Sequence, residues 1–485
     1  MELASIAAFQ LVPVLPSFFY KYGASLERDP PIQTKTTIPA ITRFTSFPDE
    51  VPLPEDWVEH VHPEGSTYFQ NPNIRVVSNT DPRRTGVNVI LNNAAERIRS
   101  QLPRDQKPDG PEVYLNVSDA SRLGPECIVE YYLVDYKSRS IFWVENIDIL
   151  TNLGGIGSSV EPFESTRHLR SALQPEFWVH VEYYPCHQPT YDHEAEKKLT
   201  AVLQHGCVDD MTAPGSVFPY GADECVRYLK LLERVHGAEA ASGMIPGDDK
   251  SMESFHRSWT ARLWASICRS RHINRYGLPY PRVDRLQGLD SYLQQQTRKS
   301  VAMALGETFC LGMSKRTFAQ LTELWNGRIV YQRHWQPFLE RQRLEWKWTT
   351  LGGLYLLMMN VVQRLCGASI IPVVSSASFT CSSILVSALM IHTHSVERLK
   401  TASDISSYIY MAESFSHGLR PLSIAFTLPK ALLGYGVLIS AGSTLHHLTS
   451  QFQDNPTELL HLSALAFLPL LMSVAMYRAY GPSPL

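Results

Sequence analysis

Four long apolar stretches crowd the last third of this chain, and they constrain its fold more than any other feature. They cover residues 351–362, 366–391, 421–445 and 459–477, and the second contains no charged residue. A helix needs about 20 predominantly apolar residues to span a bilayer, because lipid offers no hydrogen-bond partner to backbone N–H and C=O groups. The sequence therefore predicts an integral membrane protein, with helices over 351–367, 370–391, 421–445 and 459–478.

Positive charges beside these stretches predict their orientation. The first stretch, 351–362, is short and by itself is also compatible with an interfacial helix. With four spans, the basic loops lie on one side of the membrane and Arg364 alone lies opposite, whereas three spans would place basic loops in both compartments. We therefore predict a multi-pass protein whose N- and C-termini are both cytosolic. The basic side carries Arg341, Arg343, Lys347, Arg398, Lys400, Arg420 and Arg478.

Charge and cysteine usage exclude several classes of protein. The formal net charge is −3, whereas a dedicated nucleic-acid binder carries a large basic surplus, so no nucleic-acid partner is expected. The 8 cysteines include no Cys-x-x-Cys pair, so the sequence indicates neither a zinc knuckle nor a thioredoxin-like redox site. Eight cysteines in 485 residues are also too few for a secreted scaffold built on disulfides.

Residues 48–86 contain a dense set of recognisable positions. Leu-Pro-x-x-Trp opens the pattern, a Gly marks a first turn, a Tyr-Phe pair and an Asn follow, and a Pro closes it. This pattern resembles a WW domain, which is a small three-stranded β module. The resemblance implies a structural core formed by Leu53, Pro54, Trp57, Phe69, Asn71 and Pro82, with Gly65 in the turn.

The opposite face of such a module would carry the binding residues. Because side chains alternate along a strand, Tyr68, Gln70 and Pro72 would point away from the core residues. In the WW family this face binds Pro-rich ligands in polyproline-II form, gripping a proline between the Tyr and a second Trp. Here Asn79 stands at the second-Trp position, and Gln70 and Pro72 replace an apolar groove residue and a His. The resemblance therefore implies a WW fold with a degenerate groove at Tyr68, Gln70, Pro72 and Asn79.

The segments around the module have their own patterns. Residues 1–47 predict an N-terminal tail, although their apolar stretch, 3–19, leaves a signal or extra anchor as an alternative. Residues 87–111 predict a linker. Residues 112–160 predict a β-hairpin region that turns at Asp135-Tyr136-Lys137-Ser138 and is either a plain hairpin or a relic WW repeat. Residues 161–348 have helical periodicity and predict a mainly α-helical cytosolic domain.

Two groups of polar residues are candidates for chemistry. One cluster lies within 180–193, but its spacing matches no known metal motif, so polar residues at helix ends are the favoured interpretation. Its members are His180, Glu182, Cys186, His187, Asp192 and His193. The other candidate is Lys430, which lies in the third apolar stretch and marks either an ion or substrate path or a lysine that snorkels to the interface. The snorkelling lysine is favoured, and no catalytic residue, metal or cofactor is predicted.

The order of these segments carries a wider resemblance. The WW-like start, the hairpin, the segment 177–185 (FWVHVEYYP) and the segment 417–422 (HGLRPL) are similar to a family of WW-domain-containing, multi-pass membrane proteins of mushroom-forming fungi. That family has no established activity to carry over. The implied fold class is a multidomain membrane protein with a WW-like β module, a helical cytosolic domain and a four-helix transmembrane region at 349–485.

Two classes of function fit this layout. The first is a membrane-anchored interaction or scaffold protein that lies in the lipid bilayer and binds a protein partner through its degenerate WW module. The alternative is a membrane-embedded enzyme or transporter of unknown substrate, with Lys430 or the 180–193 cluster as its functional residues. The absence of a repeated charged pattern across the spans favours the first class.

Overall fold

The chain divides into two compact units, Met1–Asp284 and Arg285–Leu485. A computed structural model describes residues 9–19, 51–103, 110–118, 127–149, 153, 163–188, 192–242, 250–287, 300–326, 330–395, 402–414 and 416–451. The predicted span 459–478 and most of the predicted tail lie outside these residues. The predicted helical domain, 161–348, is divided between the two units, because its last helices belong to the C-terminal one.

The N-terminal unit is built on a mixed β-sheet. Its described strands are β1 Phe9–Pro13, β2 Val58–Val61, β3 Thr67–Asn71, β4 Val76–Ser78, β5 Glu112–Ser118, β6 Cys127–Asp135 and β7 Ser140–Phe142. The strand order is β1-β6-β5-β4-β3-β2, and β7 pairs with the second half of β6. The pairs β1–β6 and β4–β5 are parallel and the other pairs are antiparallel. The β6–β7 hairpin occupies the place where the sequence predicts one.

The WW fold is not confirmed, although its three strands are present. β2, β3 and β4 form an antiparallel meander in which His60 lies opposite Tyr68 and Phe69 opposite Ser78. However, β4 also pairs in parallel with β5, where Val77 lies opposite Tyr114. The meander is therefore one part of a larger sheet rather than a module that ends at its third strand.

Helix α1, Val87–Gln101, replaces most of the predicted linker. Its buried residues follow a helical spacing, and they are Val87, Ile90, Leu91, Ala94, Ala95 and Ile98. They pack on one face of the sheet in a cluster that includes Trp57, Phe69 and Val113. The Trp57 side chain also donates from Nε1 to Asn88 Oδ1 at 2.9 Å. This helix is the crossover connection that the parallel β4–β5 pair requires.

Four helices belong to the core on the other face of the sheet. They are α2 Thr166–Tyr183, α3 His193–Thr212, α4 Ala222–Ser242 and α5 Lys250–Ile273. Trp178 of α2 stacks on Trp264 of α5 with ring centroids 5.7 Å apart, and both lie in one cluster with Tyr68 and Tyr114 of the sheet. A short 3-10 helix, Pro16–Phe19, contacts α2. The sheet is therefore covered on both faces.

The C-terminal unit is helical throughout its described residues. Its helices are α6 Val301–Phe309, α7 Ser314–Leu324, α8 Gln332–Leu365, α9 Ile370–Thr393, α10 Ala402–Ala412 and α11 Arg420–Gln451. Pro337 lies inside α8 near its start. A proline removes one backbone hydrogen bond, and close to a helix N-terminus the rest of the helix is long enough to continue past it.

Two of these helices, α9 and α11, are long and apolar enough to cross a membrane. Only 28% and 44% of their most apolar segments are buried, whereas the core helix of a soluble protein would be mostly covered. Both helices expose large apolar side chains, namely Ile370, Ile371, Val374, Leu385, Leu389, Leu438 and Leu445. This distribution indicates association with a membrane.

The faces that α9 and α11 bury against each other are small and polar. Ser376 Oγ donates to the Gly436 carbonyl at 2.8 Å, and Ser383 Oγ donates to the Pro429 carbonyl at 2.7 Å. A Cβ atom at Gly436 would lie 2.6 Å from Thr380 Oγ1, so only glycine permits this approach. Small residues and interhelical hydrogen bonds are how helices associate where there is no hydrophobic drive to do so.

Helix α8 joins the same seam. Its Gln363 Nε2 donates to Ser440 Oγ on α11 at 2.8 Å, and Gly353 lies so close to Ile384 on α9 that a Cβ would come within 2.7 Å of its Cγ1. Asn360 Oδ1 accepts from Ser376 Oγ at 3.1 Å. The last five turns of α8 therefore pack with the two candidate spanning helices.

Candidate functional site

A cleft of about 900 Å³ lies in the N-terminal unit between the sheet and the helices. The sheet side contributes Gln70, Pro72, Arg75, Glu112 and Tyr136, and the helical side contributes Phe177, Trp178, Val181, His187, Gln188, Asp192, His193, Glu194, Ala195, Arg257 and Thr260. Aromatic rings and charges of both signs therefore line one concave surface. Asp192 stands at its edge, where it accepts from Ala195 N at 2.9 Å and thus caps α3.

The floor of the cleft is a hydrogen-bond network around the buried Glu112 carboxylate. Glu112 Oε1 lies 2.9 Å from His180 Nε2 and accepts from Tyr136 OH at 2.9 Å. Glu112 Oε2 lies 2.8 Å from His187 Nε2. Gln188 Nε2 donates to the Tyr136 hydroxyl at 3.3 Å. A carboxylate only accepts hydrogen bonds, so all three of its partners serve as donors here.

The network extends to two buried tyrosines through the other ring nitrogens. His180 Nδ1 lies 3.0 Å from Tyr132 OH, and His187 Nδ1 lies 3.2 Å from Tyr68 OH. When both histidines carry their proton on Nε2, each Nδ1 accepts from a tyrosine hydroxyl and each Nε2 donates to Glu112. One tautomer of each neutral imidazole therefore satisfies both of its nitrogens.

Burial and this network shift the pKa values of Glu112 and Tyr136 in opposite directions. Burial alone would raise the pKa of Glu112, but the electrostatic influence of His187 and the hydrogen bonds from both histidines outweigh it, so the pKa lies well below its usual value. Burial, and then the Glu112 charge, raise the pKa of Tyr136 well above its usual value. At neutral pH the site therefore holds an ionised carboxylate and neutral tyrosines.

The four predicted WW-like binding residues do not share one surface in the structure. Gln70 and Pro72 line the cleft. Tyr68, the one groove aromatic present, is fully buried, and its hydroxyl accepts from Cys186 N at 2.8 Å. Asn79 donates from Nδ2 to Tyr114 OH at 3.0 Å. The surface on which a WW domain would hold a proline is thus occupied by the chain's own residues 184–187, since Tyr184 and His187 also contact the Tyr68 ring.

The predicted structural residues of the module lie on the α1 side. Trp57 and Phe69 are buried in the apolar cluster between the sheet and α1, and Leu53 packs against this cluster. Asn71 Oδ1 accepts from Asn73 N at 3.1 Å and holds the turn between β3 and β4. Pro54 accepts through its carbonyl from Trp57 N at 3.2 Å, and Pro82 is buried before α1. Tyr68 and Phe69 therefore face opposite sides, as the strand alternation predicts.

The 180–193 cluster is only partly gathered into one site. His180 and His187 meet at Glu112, whereas Glu182 Oε1 accepts from Arg262 Nε at 2.8 Å. Cys186 Sγ approaches the Val61 carbonyl at 3.3 Å. Asp192 and His193 reach the cleft edge. No group of three or more His, Cys, Asp or Glu side chains that could hold a metal occurs in the described part of the chain.

The geometry of the network favours a structural role for its two histidines over a role in proton transfer. A general base needs a ring nitrogen that can reach a substrate proton. In His180 and in His187, however, both nitrogens already contact a tyrosine and the Glu112 carboxylate. These bonds instead tie α2 and the segment after it to β3, β5 and β6, and they fix the wall of the cleft.

The other chemical candidate, Lys430, forms an ion pair with Glu345 of α8. Glu345 directly precedes Trp346, whose indole Nε1 donates to the Phe426 carbonyl at 3.0 Å. Tryptophan and lysine both favour the membrane–water boundary. The ion pair thus fits a snorkelling lysine better than a charge along a transport path.

Sequence reasoning missed Glu112 and Tyr136. Glu112 opens an apolar strand, EVYLNVS, and a charge at the start of such a strand is usually solvated rather than functional. Tyr136 lies in the predicted hairpin turn, where a polar side chain needs no partner. The strand β5 that carries Glu112 is buried along most of its length. A carboxylate in a buried strand needs hydrogen-bond donors from other segments, and this need was the only indication of the site.

Comparison with protein-family models, with curated proteins and with solved structures finds no match to this chain. The fold and the cleft are therefore interpreted from their own contacts.

Proposed function

We propose that this chain is a membrane-anchored interaction protein whose N-terminal unit binds a segment of a partner polypeptide in the cleft beside β3. The observation that carries the proposal is that the cleft takes its wall from Gln70 and Pro72, two positions of the predicted WW-like binding face. Ligand-binding clefts in general combine apolar surface with a few fixed polar groups. Phe177 and Trp178 supply the former, and Gln188 and Tyr136 supply the latter.

The buried Tyr68 argues against the usual ligand of a WW domain. Polyproline recognition requires an exposed aromatic groove, and here the one groove aromatic has no exposed surface. We therefore keep the interaction role predicted from the WW-like pattern but place the binding surface in the cleft rather than in the groove. An enzyme or transporter remains the alternative class, and the saturated ring nitrogens and the Glu345–Lys430 pair weigh against it.

Multi-pass anchoring with four spans is part of the same proposal. The predicted first span, 351–367, begins within α8, which continues to Leu365 and packs with α9 and α11. The fourth predicted span, 459–478, would complete the set and place both termini in the cytosol. Glycosylation tags inserted at 396–400 should remain unmodified in cells. A modified tag there would overturn the orientation.

Site-specific photocrosslinking tests the binding role of the cleft. A photoreactive amino acid at the exposed Pro72 of the full-length membrane-bound chain should give a discrete protein adduct, because its side chain lies on the cleft wall. The same probe at Lys230, an exposed residue of α4 that does not line the cleft, is the matched control.

A blocking variant completes the test. Gln188→Trp would fill the cleft with an indole and should abolish the adduct from Pro72, whereas an exposed substitution on α3, Lys197→Trp, should leave it. Adducts of equal yield from Pro72 and Lys230 would contradict the proposal, as would an adduct that survives Gln188→Trp. Tight binding of proline-rich peptides by the chain would restore the WW groove instead.

A further inference from the structure

The helices α6 and α7 form a hairpin whose first arm is apolar yet uncovered. α6 buries none of its side chains. Val301, Leu305 and Phe309 recur at intervals of four residues and are 77%, 65% and 42% exposed, so they form one stripe along the helix. A stripe of this kind on a water-soluble protein would be buried against a neighbour.

Contacts with α11 show how far this hairpin reaches along the candidate span. In the last turn of α6, Glu307 pairs with Arg420 at the start of α11, at 2.6 Å. At the end of α6, the Tyr435 hydroxyl donates to the Phe309 carbonyl at 2.9 Å. The last turn of α6 therefore packs on the first half of α11, between Arg420 and Tyr435.

The tip of the hairpin passes the level of the Lys430–Glu345 ion pair. Leu311 Cδ1 lies 3.8 Å from the position of a Cβ on Gly434, four residues beyond Lys430. Four residues of helix are about 6 Å, a depth typical of interfacial segments. Leu311 is 53% exposed and adopts a positive φ of 53°, next to Gly312 with a φ of 73°, so the chain turns sharply here.

Two cations follow directly after this apolar tip. Lys315 and Arg316 are exposed on the first turn of α7, and neither forms an ion pair with another residue in the described ranges of the chain. An apolar edge beside unpaired cations is the composition of segments that lie in a membrane surface and attract anionic lipid.

From these observations, and resting on the proposed membrane anchoring, we infer that the tip of the α6–α7 hairpin inserts into the membrane interface and binds anionic lipid headgroups. Phe309 and Leu311 contact the upper acyl chains, and Lys315 and Arg316 bind the headgroup phosphates. The hairpin thus makes the chain sensitive to the charge of the lipid around it, which a set of spanning helices alone would not.

Lipid quenching in nanodiscs tests the insertion. The full-length chain carries an environment-sensitive fluorescent amino acid at position 311, at Met358 on the lipid-facing side of α8, or at Tyr280 in the N-terminal unit. Lipids brominated in their acyl chains should quench positions 311 and 358 and leave 280 bright. Unquenched fluorescence at 358 would refute the anchoring itself, whereas quenching at 358 but not at 311 would refute only the hairpin inference.

A second arm tests the choice of lipid. In nanodiscs that mix phosphatidylcholine with phosphatidylserine, the bromine is placed on one lipid at a time. Because each cation near a membrane surface enriches anionic lipid severalfold, quenching at 311 should be at least about twofold stronger from brominated phosphatidylserine. The double variant Lys315→Ser/Arg316→Ser should lose this preference, and the matched variant Lys197→Ser/Lys230→Ser should keep it. Equal quenching by the two lipids, or a preference that survives the double variant, would overturn the inference.

Discussion

The N-terminal unit and helix α9 of the C-terminal unit bury opposite kinds of side chain. In the N-terminal unit the sheet and its helices enclose large aromatic and aliphatic residues, with Tyr114, Tyr132 and Leu115 fully covered. In the C-terminal unit α9 buries Ser376 and Ser383, while its leucines point outward. The difference teaches that burial follows the surroundings of each segment: water drives apolar residues inward, whereas lipid around a helix leaves its association to close packing and polar contacts.

The polar contacts of the two units also differ in how much they contribute to stability. Glu112 is a buried charge, and three donors from two other segments are arranged around one carboxylate. The seam between α9 and α11 uses neutral hydroxyls that donate to single carbonyls. Removal of a partner should therefore be costly in the first unit and mild in the second.

The largest effect is expected for Glu112→Ala. This change leaves the buried His180, His187 and Tyr136 without their common acceptor, and we expect a loss of about 3–5 kcal/mol in the free energy of unfolding of the N-terminal unit. Glu112→Gln keeps one acceptor oxygen and should cost less. Denaturant unfolding of the detergent-solubilised chain, followed by tryptophan fluorescence, measures both variants.

The matched change in the C-terminal unit is Ser383→Ala, which removes the hydrogen bond to the Pro429 carbonyl. Its cost should stay near 0.6 kcal/mol, roughly the average for such bonds between membrane helices. Equal costs at Glu112 and Ser383 would erase the contrast between the two units.

The second effect concerns pH and His272 at the end of α5. Burial, and then the neighbouring His168, lower the pKa of His272 from 6.5 to about 4. The unfolded chain therefore binds a proton on this residue between pH 6.5 and pH 4 while the folded chain does not, so stability is lost as the pH falls through that window. The full shift corresponds to at most about 3 kcal/mol.

Thermal unfolding at pH 7 and at pH 4.5 measures this contribution. Wild type should lose more stability between the two conditions than His272→Asn does, since the variant lacks the group that stays neutral. His205→Asn, at an exposed position of α3, is the control and should behave as wild type. The same acid sensitivity in His272→Asn and in wild type would rule out this residue as its source.

The sequence predicted what is encoded locally. Strand alternation placed Tyr68 and Phe69 on opposite faces, and the apolar stretches identified the regions of α9 and α11. It did not predict that β4 pairs with β5, because the two strands are separated in the chain by α1 and no local pattern reports their pairing. Glu112 meets its histidines across 68 and 75 residues, and no local spacing reports such a contact.

Helix α1 shows a different limit. Its apolar residues have helical spacing, but the surrounding Asn, Arg and Gln residues, and the Pro-rich residues that follow, gave the whole segment 87–111 the composition of a linker. Packing determines that the segment is helical, because the apolar face of α1 packs against the face of the sheet that carries Phe69. Tertiary contacts thus stabilise a helix that composition alone did not favour.

A small effect is also expected for Leu385→Ala on the outward face of α9. Leu385 is 70% exposed, so in lipid the change replaces one apolar contact with another, and the cost should stay below about 1 kcal/mol. The same change at the fully buried Leu115 of β5 leaves a cavity and should cost about 2–5 kcal/mol. Unfolding of both variants in the same detergent gives the two values side by side. A cost at Leu385 as large as that at Leu115 would mean that protein rather than lipid covers this face, and the burial of small polar residues by α9 would then need another cause.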